Sequence, residues 1–282
     1  MTSWRDLAKR ILTPAEQKRM RASYDTIGDI AIVEIAIGLE KKEKRLAALL
    51  LKSQPNIKVV AKKVGSRKGA FRGQRLKVIA GENRFITTHV ESGCQMMLDM
   101  RTCYFSPRMG TERLRISRQV GKRERILVLF GGIAPFALVI ARQALDAGKP
   151  VHVDTVDLNK SAHRYAVSNV AINRLGHLIT PIHADARKFL AAAANAKLTY
   201  DRILLAWPGR AEPFVGPALK ILKKGGTLHF YDFQYEQSLD LSAEKVRAAC
   251  KKSRRRCVIK NIAICGQKAP HVVRVCVDAI VK

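Results

Sequence analysis

Acidic side chains are scarce in this sequence. Its 282 residues include 23 Asp and Glu against 52 Lys and Arg, which gives a formal net charge of +29. Between Lys44 and Gly81 there are eleven basic residues and no acidic one. With 47% hydrophobic residues, the composition is that of a globular protein and excludes a disordered basic tail. We therefore expect a nucleic-acid partner, whose phosphates attract this surface.

Patterns of membrane and secreted proteins are missing as well. The longest uncharged stretch, Ile126–Ala141, is too short to span a bilayer and is interrupted by Gly131, Gly132 and Pro135. The opening residues, Met1–Asp6, show no basic flank followed by an apolar core, so no secretory signal is predicted. We expect no membrane partner, a cytoplasmic location and a monomeric protein.

The cysteines form no metal-binding pattern. None of the six belongs to a CxxC motif or to a Cys/His cluster with ligand spacing, and several lie in apolar, strand-like runs. We therefore expect no metal site and interpret the cysteines as buried, reduced thiols. They are Cys94, Cys103, Cys250, Cys257, Cys265 and Cys276.

The C-terminal half alternates strand and helix patterns, which predicts an α/β fold. The strands of a mostly parallel, Rossmann-like sheet are expected at Ile126–Phe130, Val151–Asp157, Ile179–His183, Tyr200–Ala206 and Thr227–Tyr235. Helices are expected between them, including Phe214–Lys223, which should stop at Gly225-Gly226. Cys257–Cys265 and His271–Ile280 predict a closing antiparallel hairpin.

A small α+β domain is predicted to precede this sheet, with boundaries at residues 1–95 and 96–282. Its expected elements are the helix Lys41–Lys52 and strands at Ile30–Ile37, Ile57–Val64, Gln74–Ala80 and Thr87–Glu91. Glycines interrupt the basic run between the middle strands, and small residues let a chain approach a phosphate backbone. We therefore predict RNA contacts from Lys62, Lys63, Arg67 and Lys68.

A glycine turn, Phe130-Gly131-Gly132, follows the first strand of the sheet, and the second strand ends at Asp157-Leu158. Glycines let the backbone approach a ligand, and a carboxylate there accepts hydrogen bonds from ribose hydroxyls, so a nucleoside-type cofactor is predicted. The turn lacks the third glycine of a dinucleotide fingerprint, and no Gly-Lys-Ser/Thr loop follows. Asp185-Ala186, after the third strand, fits either the adenine edge or a helix N-cap.

Taken in order, these motifs resemble the archaeal and eukaryotic type tRNA (guanine-37-N1) methyltransferases, from about Ser23 to the C-terminus. The resemblance implies a class I methyltransferase domain, S-adenosylmethionine as cofactor and tRNA as partner. The pieces that carry it are Ile27–Val33, Tyr104–Arg113, the glycine turn, Asp157–Asn159, Asp185, Trp207–Gly209 and Gly225–Tyr231. Tyr104–Arg113 is the most specific of them.

Carried over by position, the resemblance implies that Glu112 is the general base and Arg72 the catalytic arginine. Guanine N1 bears a proton that must leave, and negative charge develops on O6, so a carboxylate and a guanidinium suit these roles. An ordinary ion pair of Glu112 with Arg113 or Arg115 is the alternative. The resemblance also places Tyr104 and Arg108 at the cofactor, and we predict Arg113 at the substrate.

Three departures from the family pattern concern base recognition, the glycine turn and tRNA shape. Ala206-Trp207-Pro208 stands where the family has Asn-x-Pro, so the base-reading amide is replaced by alanine. Trp207 is predicted either to stack on an extruded base or to pack at the strand end. Ala134 also occupies a position where the family prefers glycine. The small N-terminal domain that contacts the tRNA elbow is expected to be missing.

The leading hypothesis is methyl transfer from S-adenosylmethionine to guanine N1, at position 37 of tRNA. An aminocarboxypropyl transferase of wyosine biosynthesis is a related alternative, because it uses the same fold and cofactor. A non-catalytic RNA-binding relative is the alternative from another class, since Ala134 and Ala206 would both permit it.

Overall fold

The computed structural model describes residues 4–21, 23–65 and 75–282. The chain divides into two compact units. Unit 1 comprises residues 1–90 and 95–107, and unit 2 comprises residues 91–94 and 108–282. Among the described helices, none has the length and apolar character required for a membrane span. The domain boundaries at residues 95 and 96 stay a prediction.

Unit 1 contains a four-stranded sheet in the order β1-β2-β3-β4, in which only β2 and β3 pair in parallel. Trp4, Leu46 and Leu50 are buried with residues of the sheet in one apolar core. The helices are α1 (Trp4–Ala8), α2 (Pro14–Arg19) and α3 (Glu43–Ser53). The strands are β1 (Asp25–Ile27), β2 (Ile30–Val33), β3 (Val59–Lys63) and β4 (Leu76–Gly81), followed by the two-stranded β5 (Ile86–Glu91) and β6 (Cys94–Asp99).

Unit 2 is built on a seven-stranded sheet whose order is β12-β13-β11-β10-β7-β8-β9. The strands are β7 (Arg125–Leu129), β8 (His152–Asp157), β9 (Ile179–His183), β10 (Tyr200–Leu205), β11 (Leu222–Tyr235), β12 (Cys257–Ala269) and β13 (Val272–Val281). The helices are α4 (Gly110–Arg118), α5 (Pro135–Asp146), α6 (Lys160–Ile172), α7 (Ala186–Asn195), α8 (Glu212–Leu219) and α9 (Asp240–Lys252).

Strands β7 to β11 pair in parallel, and β13 pairs antiparallel with both β11 and β12. Leu127, Leu129, Ile203 and Leu205 are fully buried, because helices cover both faces of the parallel strands. The predicted α/β class, with a mostly parallel sheet and a C-terminal antiparallel hairpin, is confirmed.

The segment around Gly225-Gly226 departs from the sequence-based expectation. Helix α8 ends at Leu219, and Leu222 already belongs to β11, so the two glycines lie inside a strand and do not terminate a helix. The pairing of β10 with β11 is irregular there. The Arg255 guanidinium donates to the carbonyl oxygens of Leu219 and Leu222, both at 2.6 Å. These bonds satisfy carbonyl groups where the helix ends, and they come from a residue remote in sequence.

The six cysteines are free thiols, five of them buried and Cys257 half-buried. Burial raises the pKa of the Cys94 thiol to about 11. The predicted burial is therefore found for five of the six cysteines, and Cys257 departs from it.

Candidate active site

The residues predicted to bind the cofactor lie at one edge of the sheet in unit 2. The glycine turn follows β7, Asp157 closes β8 with Leu158 after it, Asp185-Ala186 follows β9, and Ala206–Pro208 follows β10. These four strands are parallel neighbours in the order β10-β7-β8-β9, so their carboxyl ends meet at the same edge. In open α/β sheets this edge forms the ligand crevice.

Asp157 ties the glycine turn to the end of β8. Its Oδ2 accepts a hydrogen bond from the backbone N–H of Gly132 at 2.7 Å, and its Oδ1 accepts one from Asn159 at 2.8 Å. Burial raises the pKa of this carboxyl, although both hydrogen bonds act in the opposite direction. Each carboxylate oxygen has further acceptor capacity, so the group remains suited to ribose hydroxyls.

The backbone of the glycine turn is fixed by close packing. A Cβ on Gly131 would lie 2.0 Å from Thr155 Oγ1, so glycine is required there by the protein itself. Phe130 and Ala134 adopt left-handed φ angles of 60° and 69°, which are uncommon for residues other than glycine. The buried Asn169 side chain of α6 donates to the Ile133 carbonyl oxygen at 3.2 Å. Sequence reasoning missed Asn169, whose only signal is an amide among apolar helix positions.

Asp185 is the N-cap of α7. Its Oδ1 accepts hydrogen bonds from the backbone N–H groups of Arg187 and Lys188, at 2.9 and 3.1 Å. The N-cap alternative is therefore present, and an additional contact to adenine stays a prediction. His163 and His183 stack nearby with ring centroids 5.5 Å apart, and both influence the Asp157 carboxyl electrostatically. Sequence reasoning did not single out either histidine.

Trp207 belongs to an aromatic cluster beside the glycine turn. Its ring centroid lies 4.8 Å from that of Phe130, which in turn lies 4.9 Å from that of Phe214. The Arg210 guanidinium lies over the indole at 5.6 Å. The half-buried indole packs against the main apolar core of unit 2. Of the two roles left open for Trp207, packing is observed, and stacking on a base stays a prediction.

Glu112 is buried in the first turn of α4, with 5% of its surface exposed. Its carboxylate accepts hydrogen bonds from Arg115 Nε at 2.6 Å and Nη2 at 2.8 Å, and from the Tyr231 hydroxyl at 2.7 Å. The ion pair with Arg115, one of the alternatives for this residue, is thus formed. The neighbouring Arg113 is also buried and pairs with Glu91, its Nε lying 2.6 Å from Oε1.

The two remaining cofactor candidates lie in different units. Tyr104, in unit 1, is half-buried and lines a cavity of about 50 Å³ together with Asp25, Lys63 and Leu98. Arg108, in unit 2, is exposed within the single 3-10 turn Pro107–Met109. Their common role at the cofactor stays a prediction.

Two of the four basic residues predicted to contact RNA, Lys62 and Lys63, meet acids from other parts of unit 1. Lys62 Nζ lies 2.5 Å from Glu43, and Lys63 Nζ lies 2.7 Å from Glu34. Lys63 is the main cause of the lowered pKa of Glu34. The acid-free stretch of sequence is therefore partly neutralised by the fold. Arg67, Lys68 and the catalytic candidate Arg72 lie outside the described residues, whereas Lys58, Arg75 and Lys77 are exposed.

Comparisons with known proteins match almost the whole chain. The TRM5/TYW2 methyltransferase domain matches residues 87–259, and the TYW2 N-terminal domain matches residues 4–84. The tRNA (guanine(37)-N(1))-methyltransferase Trm5b of Pyrococcus abyssi is 33% identical over 221 residues, 78% of this chain and 63% of that protein. The matched region thus spans less than two thirds of that relative's length. The tRNA 4-demethylwyosine(37)-methyltransferase Taw21 of Saccharolobus solfataricus is 31% identical, over 85% of this chain and 87% of the relative.

Two solved structures of similar fold carry relevant ligands. A complex of aTrm5 with tRNALeu has a TM-score of 0.83 and 26% identity, over 99% of this chain and 78% of that chain. Methanocaldococcus jannaschii Trm5 in complex with adenosine has a TM-score of 0.80 and 26% identity, over the same shares. The family predicted from the ordered motifs is confirmed by the domain match, which covers more than half of the sequence. The chain belongs to the TRM5/TYW2 methyltransferase family.

Proposed function

We propose that this protein transfers the methyl group of S-adenosylmethionine to N1 of guanine 37 in tRNA. The observation that carries the proposal is the meeting of the family's cofactor motifs at one edge of the parallel sheet. The glycine turn, Asp157, Asp185 and the end of β10 are brought there from four neighbouring strands. A class I methyltransferase domain binds its cofactor at this edge, and a relative has been solved with adenosine.

The residues at this edge fit a nucleoside. Asp157 offers carboxylate oxygens at the end of β8, and the Gly132 amide is held against it by a 2.7 Å hydrogen bond. Asp185 follows on the next strand, where it can meet the base edge of a bound nucleoside. When bound, S-adenosylmethionine supplies an electrophilic methyl group on a sulfonium. The chain's part is then to align guanine N1 with it and to remove the N1 proton.

Glu112 is our candidate for the group that takes this proton. Its carboxylate is held by Arg115 and by the Tyr231 hydroxyl, which fixes the orientation of a group that could accept a proton. As N1 loses its proton, negative charge spreads to O6 of the base. Arg72 is the candidate guanidinium for stabilising that charge. The N1 lone pair forms the new bond to carbon, and the bonding pair of the broken carbon–sulfur bond stays on sulfur.

For tRNA contacts we propose the exposed basic residues of unit 1 ahead of those already paired. Lys58, Arg75 and Lys77 are exposed around β3 and β4, whereas the ammonium groups of Lys62 and Lys63 face carboxylates. Phosphate contacts by exposed cations release counterions and are salt-dependent. The solved complex of aTrm5 with tRNALeu supports tRNA as the partner.

The decisive experiment is mass mapping of tRNA incubated with the protein and labelled S-adenosylmethionine. The expected product carries one methyl group on guanine 37, at N1. A product with an aminocarboxypropyl group, which is much heavier, would favour the wyosine transferase alternative. Absence of cofactor binding in calorimetry would refute both enzyme hypotheses and favour an RNA-binding relative.

Two variants test the catalytic assignments. Glu112→Gln and Arg72→Ala should each lower the single-turnover rate by about 10² or more, while Glu112→Gln leaves tRNA affinity nearly unchanged. Glu244→Gln, an exposed position on α9, is the matched control and should retain the rate. Wild-type rates in both site variants would exclude the proposed roles.

A second candidate function is methylation of 4-demethylwyosine at position 37. The observation that favours it is the similarity to Taw21, which is 31% identical over 85% of this chain. Parallel assays on tRNA carrying guanine or 4-demethylwyosine at position 37 separate the two substrates.

A monomeric state and a cytoplasmic location remain predictions, the first of which light scattering can test.

A further inference from the structure

Arg115 holds two buried carboxylates at once. On one side it binds Glu112, and on the other its Nη1 and Nη2 donate to Asp278 of β13, at 2.5 and 3.2 Å. Only 4% of each carboxylate side chain is exposed. The pKa of Asp278 is lowered by its hydrogen bonds, although burial opposes them. One guanidinium therefore balances two negative charges in a site largely closed to water.

His229 adds no charge to this cluster. Arg202 Nη1 lies 2.6 Å from His229 Nε2, and a guanidinium has no acceptor, so Nε2 accepts. The ring proton is then on Nδ1 and is donated to Asp278 Oδ1 at 2.6 Å. Burial lowers the pKa of this histidine, which agrees with the neutral form. Arg202 is itself balanced by Glu124 at 2.7 Å.

The hydrogen-bonded network formed by Glu112, Asp278, Arg115, His229, Arg202 and Glu124 therefore carries one excess negative charge, and Arg274 lies outside this network. Arg202 and Glu124 cancel, His229 is neutral, and Arg115 compensates only one of Glu112 and Asp278. Burial raises the pKa of the Tyr231 hydroxyl on β11, of Cys265 on β12 and of Cys276 on β13, so these groups are neutral as well. Arg274 of β13 is directed to the Met109 sulfur at 2.7 Å.

His229, Cys276 and Asp278 form a hydrogen-bonded network with two arginines. Ligand-type atoms of His229, Cys276 and Asp278 lie within 4.8 Å of one another. The guanidinium groups of Arg202 and Arg115 contact the histidine and the aspartate, and Cys276 Sγ donates to Asp278 at 3.4 Å. Both ring nitrogens of His229 are already engaged, Nε2 as acceptor from Arg202 and Nδ1 as donor to Asp278, so the ring offers no lone pair to a cation. We therefore interpret the network as electrostatic support for Glu112.

We propose that Asp278 and Tyr231 are positioning residues that tune Glu112 as a base in opposite directions; the proposal rests on the proposed function. Asp278 shares Arg115 with Glu112, so Arg115 stabilises the Glu112 carboxylate less than it would in a one-to-one pair. Tyr231 donates a hydrogen bond to the same carboxylate, which orients it and lowers its proton affinity.

The test is the pH dependence of single-turnover methyl transfer at saturating tRNA and S-adenosylmethionine. Asp278→Asn removes the second carboxylate from Arg115, so Arg115 pairs with Glu112 alone. The acid limb of the pH profile should then move to lower pH by about one unit, and the plateau rate should fall. Tyr231→Phe removes a donor to the carboxylate, so its acid limb should move to higher pH. Half-saturating concentrations of both substrates should stay unchanged. Tyr235→Phe, at a 58% exposed position, is the matched control.

Each outcome bears on a different statement. Acid limbs that stay in place, or that shift in the same direction in both variants, would overturn the tuning proposal. A lack of methylation by the wild-type protein, or a wild-type rate in Glu112→Gln, would overturn the proposed function instead. If Asp278→Asn does not fold, Tyr231→Phe still decides, because only the hydroxyl is lost and the ring keeps its packing.

Discussion

Gly131→Ala separates two explanations for the glycine at this turn, namely close packing against Thr155 and close approach of the cofactor to the backbone. A Cβ there would lie 2.0 Å from Thr155 Oγ1 and 3.4 Å from Thr155 Cβ, so the hydroxyl is the main obstacle. Thr155 lies on β8, between β7 and β9, and is 3% exposed, which leaves little room for it to move. Overpacking of this kind destabilises a protein by about 1–3 kcal/mol. We expect a loss of that size, or a fall in Tm of about 2–4 °C for each kcal/mol.

The double variant Gly131→Ala with Thr155→Ala makes the test specific. Thr155→Ala removes the hydroxyl and methyl groups that the new Cβ would meet. The loss of stability in the double variant should therefore be smaller than the sum of the losses in the two single variants. A coupling of about 0.5–3 kcal/mol is expected from urea unfolding. Gly176→Ala is the control, because nothing lies within 4 Å of the added Cβ. An alanine at 131 that leaves stability intact and abolishes only cofactor binding would refute packing as the reason for this glycine.

Three further predictions concern a cap, a surface and an acid. Asp185→Ala should lower the stability of α7 by about 1 kcal/mol, because its N-cap is lost, whereas Asp185→Asn keeps the cap. If calorimetry shows weaker S-adenosylmethionine binding in both variants, Asp185 makes a separate contact with adenine. Neutralising Lys58, Arg75 and Lys77 together should lower tRNA affinity and flatten its salt dependence more than neutralising Lys62 and Lys63, which already face Glu43 and Glu34; equal effects in fluorescence anisotropy would contradict this ranking. Since Asp278 has a lowered pKa in the folded protein, its stabilisation is present above the unfolded pKa of about 4 and lost as pH falls below it, so Asp278→Asn should show a shallower acid-side decline in unfolding free energy.

The parallel sheet was predictable because its pattern is local. Apolar runs of strand length alternate with amphipathic helical stretches, and each is read within a window of about 18 residues or fewer. The strand Ile179–His183 has the same bounds in sequence and structure. The predicted end of α8 at Lys223 was wrong. The helix ends at Leu219, whose carbonyl oxygen accepts a hydrogen bond from Arg255, more than thirty residues away in the sequence.

The candidate site was predictable in position but not in its contacts. Strand order along the chain and the rule that parallel strands end at one edge were enough to bring Asp157 and the glycine turn together. The partners of Glu112 were only partly foreseen. Arg115 lies three residues from Glu112 on the same helix and could be foreseen. Tyr231 is 119 residues from Glu112, and Asp278 is 163 residues from Arg115, so neither contact could be read from local sequence.

The sequence by itself determined the family, the sheet and the excess of positive charge, because motif order, local periodicity and composition need no knowledge of distant neighbours. Tertiary structure decided which charges remain available. It brought Glu34 and Glu43 to Lys63 and Lys62, and it placed two carboxylates on Arg115. A buried or paired charge behaves according to everything within a few ångströms, and those neighbours come from strands far apart in the chain. The scarcity of acids was visible from the start, but only the fold showed where the few acids act.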